Sequence, residues 1–220
     1  DSRGRYRTLV QEMKRRSLSV PWTAFFKPSA ELDGAIIEVM RETGLHAAEL
    51  GSDAPTDATL RGIGKDFLFR DVERCNSMFL DQGVATAHFF MFGCPGETRE
   101  TVEEGIANIL SLQKAAIFVF MGIRILPGTG LVKIAVRDGL LREGQSLLEP
   151  TYYISPKVER QWMENALEES FAKTRHVVFP PDALDSKLQL LIKLGFKGSL
   201  WDLLVKSKAP RTRATQAGSA

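Results

Sequence analysis

Between residues 6 and 126 the chain alternates repeatedly between a helical and an extended hydrophobic period, and this alternation constrains its fold more than any other feature. Tyr6, Leu9, Val10 and Met13 fall at i, i+3, i+4 and i+7, one stripe of an amphipathic helix over residues 6–16. Residues 20–26 then read as a strand stopped by Lys27 and Pro28. Leu32, Ile36, Val39 and Met40 return to helical spacing, and Gly44 closes that helix. Residues 46–50 form a short strand ended by Gly51, and residues 54–65 a loop with a short helix. Asp71 opens a helix with Val72, Cys75 and Phe79 on one face and Gly83 at its end. Residues 84–92 are an aromatic-rich strand, and Gly93-Cys94-Pro95-Gly96 is a tight turn. Thr98 caps the next helix, whose stripe is Val102, Ile106, Ile109 and Leu110. Residues 117–126 are a strand ended by Pro127 and Gly128. Such alternation predicts a parallel sheet of about four strands in sequence order, joined by right-handed crossovers. The strands are nearly continuous in apolar residues, so a sheet covered on both faces is expected.

After residue 150 the pattern changes. Ser155 and Pro156 suit the N-cap and first position of a helix with Val158, Trp162 and Ala166 on its face. Leu184, Leu188, Leu191 and Ile192, followed by Gly195, mark a second helix, and Ser199 begins a third. From about residue 207 the sequence is small, polar and basic, the composition of a disordered tail. The expected division is an α/β unit over 1–150, a helical extension over 151–206 and a basic tail over 207–220.

Composition narrows the class. With 44% hydrophobic and 25% charged residues in 220, the chain is an ordinary globular protein rather than a fibrous or disordered one. A net charge of +2 makes no case for nucleic acid, and the basic clusters near the two ends read as solvated. Cys75 and Cys94 are too few for a disulfide framework, and no secretory signal opens the chain, so a reducing cytoplasm is the expected location. The longest apolar run, 115–123, is far short of a membrane span. The sequence does not open on Met and is helical from its first residues, which leads us to expect a piece of a longer protein.

In parallel α/β sheets ligands bind at the C-terminal ends of the strands. Those ends carry Lys27 and Pro28; Glu49, Gly51, Ser52 and Asp53; the 93–98 turn; and Pro127, Gly128 and Thr129 with Arg124 before them. Arg124 is the sharpest signal, because a guanidinium within an apolar strand must be paired, for instance with Glu49, or face a wet pocket. Glu49, between Ala48 and Leu50, follows the same logic. Gly93 and Gly96 allow a ligand close to the backbone. Glu97 and Thr98 also suit a helix start, and His88 and Cys75 read as core residues. The histidines and cysteines show no metal-ligand spacing.

These rims resemble those of the radical S-adenosylmethionine (SAM) enzymes. Glu49-Leu50-Gly51-Ser52-Asp53 is similar to the segment closing the fourth barrel strand of that family, and Leu60-Arg61-Gly62-Ile63-Gly64-Lys65 to the element after it. Phe90-Met91-Phe92-Gly93-Cys94-Pro95-Gly96-Glu97-Thr98 resembles the fifth-strand motif ending G-x-P-G-E-T. Ile123-Arg124-Ile125-Leu126-Pro127-Gly128-Thr129 resembles the sixth strand with its I-x-P-G-T ending. The four occur in order over residues 20–139. Tyr152-Tyr153-Ile154-Ser155-Pro156 and Phe179-Pro180-Pro181 resemble, more faintly, the tails of cobalamin-binding members, a type related to the Elongator-like group.

The resemblance implies the later half of a partial TIM-type (β/α) barrel. Glu49, Ser52 and Asp53 would approach the ribose or methionine part of SAM, and Lys65 its carboxylate. Backbone at Met91, Phe92 and Gly93 and near Leu126 would hold the adenine, with Arg124 lining the pocket. The full enzyme would use a 4Fe-4S cluster to cleave SAM to a 5′-deoxyadenosyl radical, with hydrogen abstraction or a cobalamin-dependent methyl transfer as the outcome. The family's C-x-x-x-C-x-x-C motif has no counterpart here, nor has the glycine-rich segment after its second strand. Cluster and cobalamin would therefore be held outside this chain, which alone would be inactive and would self-associate through exposed barrel edges. Two other readings stay open: a non-catalytic binding module built on a degenerate barrel, and an unrelated TIM-barrel lyase. The substrate is not legible.

Overall fold

A computed structural model describes residues 4–195 and 200–205. The 207–220 tail and Ser199 lie outside the described residues. The elements are α1 (Arg5–Arg15), β1 (Trp22–Phe26), α2 (Gly34–Glu42), β2 (Leu45–Asp53), α3 (Asp57–Gly62), α4 (Phe69–Asp81), β3 (Ala85–Phe92), α5 (Arg99–Ser111) and β4 (Ala115–Met121). They are followed by β5 (Ile123–Arg124), α6 (Gly130–Arg137), β6 (Tyr152–Tyr153), α7 (Arg160–Phe171), β7 (Val177–Val178), a 3₁₀ turn (Pro181–Leu184), α8 (Asp185–Lys193) and a 3₁₀ helix (Leu200–Leu204).

The main sheet has the order β1-β2-β3-β4-β7, and every pairing in it is parallel. Phe25 lies opposite Glu49, Glu49 opposite Ala87, and His88 opposite Ile117, so the ends of β2, β3 and β4 open on one side. Among the described residues the sheet is open rather than a closed barrel.

Alternation along each strand divides the residues between two faces. The outer face packs on helices in two cores. Ala48 and Leu50 of β2 meet Ile36, Ile37 and Met40 of α2 and Cys75 and Phe79 of α4. Phe90, Phe92, Ile117 and Val119 meet Val102 and Ile109 of α5 and Met163 and Leu167 of α7. Gly105 lets α5 approach, since a Cβ there would sit 2.6 Å from Pro55 Cγ and 3.0 Å from the Phe92 ring.

The structure departs from the sequence-based expectations in four places. The fourth strand ends at Met121, and Gly122, at φ 86°, breaks it. Ile123 and Arg124 then pair antiparallel with Tyr153 and Tyr152 in a separate small sheet, so Arg124 is exposed rather than set in an apolar strand. The region after residue 150 is not purely helical, because β6 joins that small sheet and β7 adds a fifth strand beside β4. Two-residue strands carry too little pattern to show a period. Ser155 does not cap a helix; α7 starts at Arg160, where the Glu159 carboxylate accepts the Gln161 and Trp162 N–H groups. Its buried face is Met163, Leu167 and Phe171 rather than Val158, Trp162 and Ala166. Finally, the described residues cover the inner face only in part. Ala47, Ala87 and Ala116 lie under Trp201, whereas Phe25 is 76% exposed.

Candidate functional site

The rim at the strand ends is built from backbone first. Along β2 one extra residue enters between the Leu50–His88 and Asp53–Phe90 pairings, a bulge that re-aims the strand end. Asp53 takes φ 60°, a conformation costly for most residues and tolerated by Asp. Its carboxylate is 2.7 Å from Lys65 Nζ, and both side chains reach solvent, at 27% and 34% exposure.

Lys65 is placed by the end of α3. Its N–H donates to the Leu60 carbonyl (2.9 Å) and the Gly64 N–H to that of Arg61 (3.0 Å), with Gly64 at φ 73°. That is a Schellman C-cap, and it fixes where the lysine leaves the helix. At its start α3 is held by the reciprocal Thr56–Thr59 capping box.

The turn after β3 is organised by Glu97, which is fully buried. Its Oε2 accepts the Gly93 and Cys94 N–H groups (2.8 and 3.2 Å), and its Oε1 accepts the Thr101 hydroxyl (2.9 Å). Burial, the largest influence, pushes the Glu97 carboxyl above its usual range, while these donors pull the other way. Burial likewise raises the Cys94 thiol, with further contributions from Glu97 and then Asp53. Cys94 is thus held protonated rather than as a reactive thiolate. The β6 segment locks the turn from the other side: the Ser155 N–H donates to Gly93 O (3.0 Å) and its hydroxyl to Glu97 O (2.9 Å).

The residues picked from sequence separate into two groups. Asp53, Lys65 and the Gly93 turn lie at the rim, with Met91 half-buried just before the turn. Glu49 is on the inner face, where Trp201 Nε1 donates to its Oε1 at 3.1 Å. Leu126 is 50% exposed beyond the small sheet that carries Arg124. Ser52 does not join this group. Its hydroxyl is 2.8 Å from His88 Nδ1, in a buried outer-face network that continues through His88 Nε2 to Asn76 Oδ1 (3.1 Å) and Thr86. Burial lowers the His88 pKa to about 3, so it is a neutral core residue. The Glu97 and Phe92 side chains are buried too, leaving their backbone near the rim. Trp201 was missed, because nothing in the sequence links it to a residue 152 positions away.

A cleft of about 590 Å³ runs along β1, between α1 and the loops that carry Lys27 and Asp66. Lys27 and Asp66 form an ion pair at its mouth. It lies beside the sheet edge rather than over the ends of β2 to β4.

For an iron–sulfur cluster the chain does not fit. Its two cysteines are buried in separate cores, Cys75 under α2 and Cys94 in the turn. Among the described residues no group of three His, Cys, Asp or Glu side chains could hold a metal ion. For SAM the rim offers an accessible ammonium, carboxylates and, at Gly96, open approach to backbone, whereas Gly93 is buried against Ile154 with its N–H and carbonyl already paired.

No protein-family model matches the chain. It is 27% identical over 103 residues to the anaerobic magnesium-protoporphyrin IX monomethyl ester cyclase of Rubrivivax gelatinosus, a match covering 46% of this chain and 19% of that protein. It is 27% identical over 107 residues to the tryptophan 2-C-methyltransferase of Streptomyces laurentii, covering 46% and 18%. Its fold matches that of the radical SAM methyltransferase TsrM from Kitasatospora setae, solved with cobalamin and a [4Fe-4S] cluster bound. The TM-score is 0.73 at 21% identity, over 90% of this chain and 46% of TsrM. The same protein with tryptophan substrate and a SAM analogue gives 0.72 at 20%, over 90% and 48%. The chain thus spans under half the length of that structure and about a fifth of these curated relatives. The structural likeness shows the fold, and the sequence relatives and the ordered rim motifs are consistent with it.

Proposed function

We propose that this chain forms the SAM-binding side of a radical SAM enzyme, and that the enzyme is a cobalamin-dependent methyltransferase. The observation that carries the reading is the Asp53–Lys65 pair standing beside the Gly93 turn at the open ends of parallel strands. In the bound state the Lys65 ammonium would exchange part of its pairing with Asp53 for the methionine carboxylate. Glu49 and Asp53 would accept hydrogen bonds from ribose or amino groups. Backbone at Met91 to Gly93 and near Leu126 would edge the adenine, with Arg124 at the mouth. Ser52 would serve only through its backbone, since its hydroxyl is committed to His88. SAM, when bound, would supply the methyl group. The cluster and the cobalamin would be held by parts of the protein outside this chain, which would not catalyse alone. Methyl transfer is favoured because one curated relative is a tryptophan methyltransferase and TsrM was solved with cobalamin and with a SAM analogue.

Calorimetry with S-adenosylhomocysteine on the full-length protein tests the site. Lys65→Ala is expected to weaken binding roughly tenfold or more, the loss of one charge-assisted contact. Equal affinities for wild type and Lys65→Ala would remove the assignment.

Among the described residues no helix is long and apolar enough to cross a membrane. The two buried, unpaired cysteines suit the reducing cytoplasm we propose as its compartment. We further propose that the isolated chain self-associates. β1 is an edge strand, and Phe25 and Phe120 expose aromatic surface at 76% and 38%. Light scattering should show mass rising with concentration; a constant monomer mass at high concentration would refute this.

A further inference from the structure

The inner face of the sheet holds a carboxylate in apolar surroundings. Glu49 lies opposite Phe25 on β1 and Ala87 on β3, and two residues beyond Ala47 on its own strand. Among the described residues it forms no ion pair, and its hydrogen bond there comes from the indole N–H of Trp201, 3.1 Å from Oε1. Its Oε2 has no partner among the described residues.

The indole is seated by design of the strands around it. Ala47, Ala87 and Ala116 leave a shallow bed across β2, β3 and β4, and Trp201 fills it to 9% exposure, flanked by Leu204 and Val205. Arg175 secures the segment by donating to the Leu203 carbonyl (3.3 Å). Beyond this bed lie Phe89 and Phe118, stacked 5.3 Å apart, with Phe25 6.4 Å from Phe89. A carboxylate on such a surface has little to hold it in one rotamer except a directed donor. A buried, rigid indole supplies one without neutralising the charge, as an arginine or lysine would.

We infer that Trp201 is a positioning residue. Its N–H holds one oxygen of Glu49 so that the other is presented to a hydroxyl-bearing ligand entering from the strand ends. This rests on the reading of the site as a SAM site, in which that hydroxyl belongs to the ribose. The C-terminal segment thereby forms the floor of the site.

The test uses the full-length protein and S-adenosylhomocysteine as probe. Trp201→Phe is expected to weaken binding about tenfold, and so is benzothienylalanine at position 201, which keeps the ring system and replaces N–H by sulfur. Glu49→Ala should weaken binding as much. Adding Trp201→Phe to Glu49→Ala should then change it less than about twofold, because the two act as one unit. A floor role alone would leave the benzothienylalanine protein at wild-type affinity, which overturns the inference, as would additive losses in the double variant. The Trp201 indole proton resonance, identified by its absence in Trp201→Phe, should move in Glu49→Ala; an unmoved resonance overturns the inference even if no nucleoside binds. Failure of wild type to bind while that resonance moves would count against the SAM reading and leave the Glu49–Trp201 contact standing.

Discussion

Gly62→Ala is expected to destabilise the chain by about 3 kcal/mol or more, whereas Gly64→Ala, two positions on, is expected to cost about 1–2 kcal/mol. The two glycines are needed for different reasons. A Cβ on Gly62 would fall 1.9 Å from the Pro95 carbonyl oxygen and 3.0 Å from its carbon. Those are backbone atoms of the turn after β3, itself locked by Glu97 and Ser155, so neither side can yield cheaply. Gly64 has φ 73° and open space around its Cα, so alanine there meets only the left-handed penalty. The Gly62 contact also joins the helix end that places Lys65 to the turn that carries Gly93. Forcing them apart should weaken S-adenosylhomocysteine binding along with stability. Urea unfolding of the two variants decides the matter. Were Gly62→Ala no worse than Gly64→Ala, the close approach, and the rim geometry built on it, would be wrong.

That contact shows which parts of the site a sequence displays. The glycines at 93 and 96 were visible because a turn at positive φ leaves few residue choices, whereas Gly62 and Gly64 stood out only within a segment that resembles a family element. The parallel α/β order was legible because each long element repeats its period over several turns or pleats. Three features were not legible, and each rests on a long-range pairing. Arg124 read as part of a buried strand because the run from Ala115 is apolar, and only the pairing with Tyr152 shows that Gly122 breaks it. Ser52 read as a rim residue from its place beside Gly51, but a residue's face after a bulge depends on the register with β3. Val177 and Val178 form a strand only because β4 offers an edge. The inner face misled for a related reason. Apolar parallel strands ordinarily imply cover on both sides, but here cover by the described residues stops at the alanine bed beneath Trp201.

Glu97→Ala is expected to cost about 4 kcal/mol, since it strands the Gly93 and Cys94 N–H groups in a dry turn and takes a partner from the Thr101 hydroxyl. Glu97→Gln keeps an acceptor oxygen and should cost about half as much. The two variants also separate the hydrogen bonds from the charge. Burial raises the Glu97 carboxyl above its ordinary value, so the folded chain favours the neutral form more than the unfolded chain does. The stability this contributes is fully present below the unfolded pKa of about 4.3. It is lost as pH rises through the folded value. The wild-type advantage over Glu97→Gln in urea midpoint should therefore shrink as pH rises from about 4 toward neutrality, because glutamine has no proton to lose. A growing advantage would mean that the three donors outweigh burial and hold Glu97 ionised as a fixed negative charge behind the turn. In that case the Gly93 and Cys94 N–H groups would be charge-assisted donors already spent on Glu97. A flat difference would mean that the two influences cancel and that Glu97 serves the turn through geometry alone.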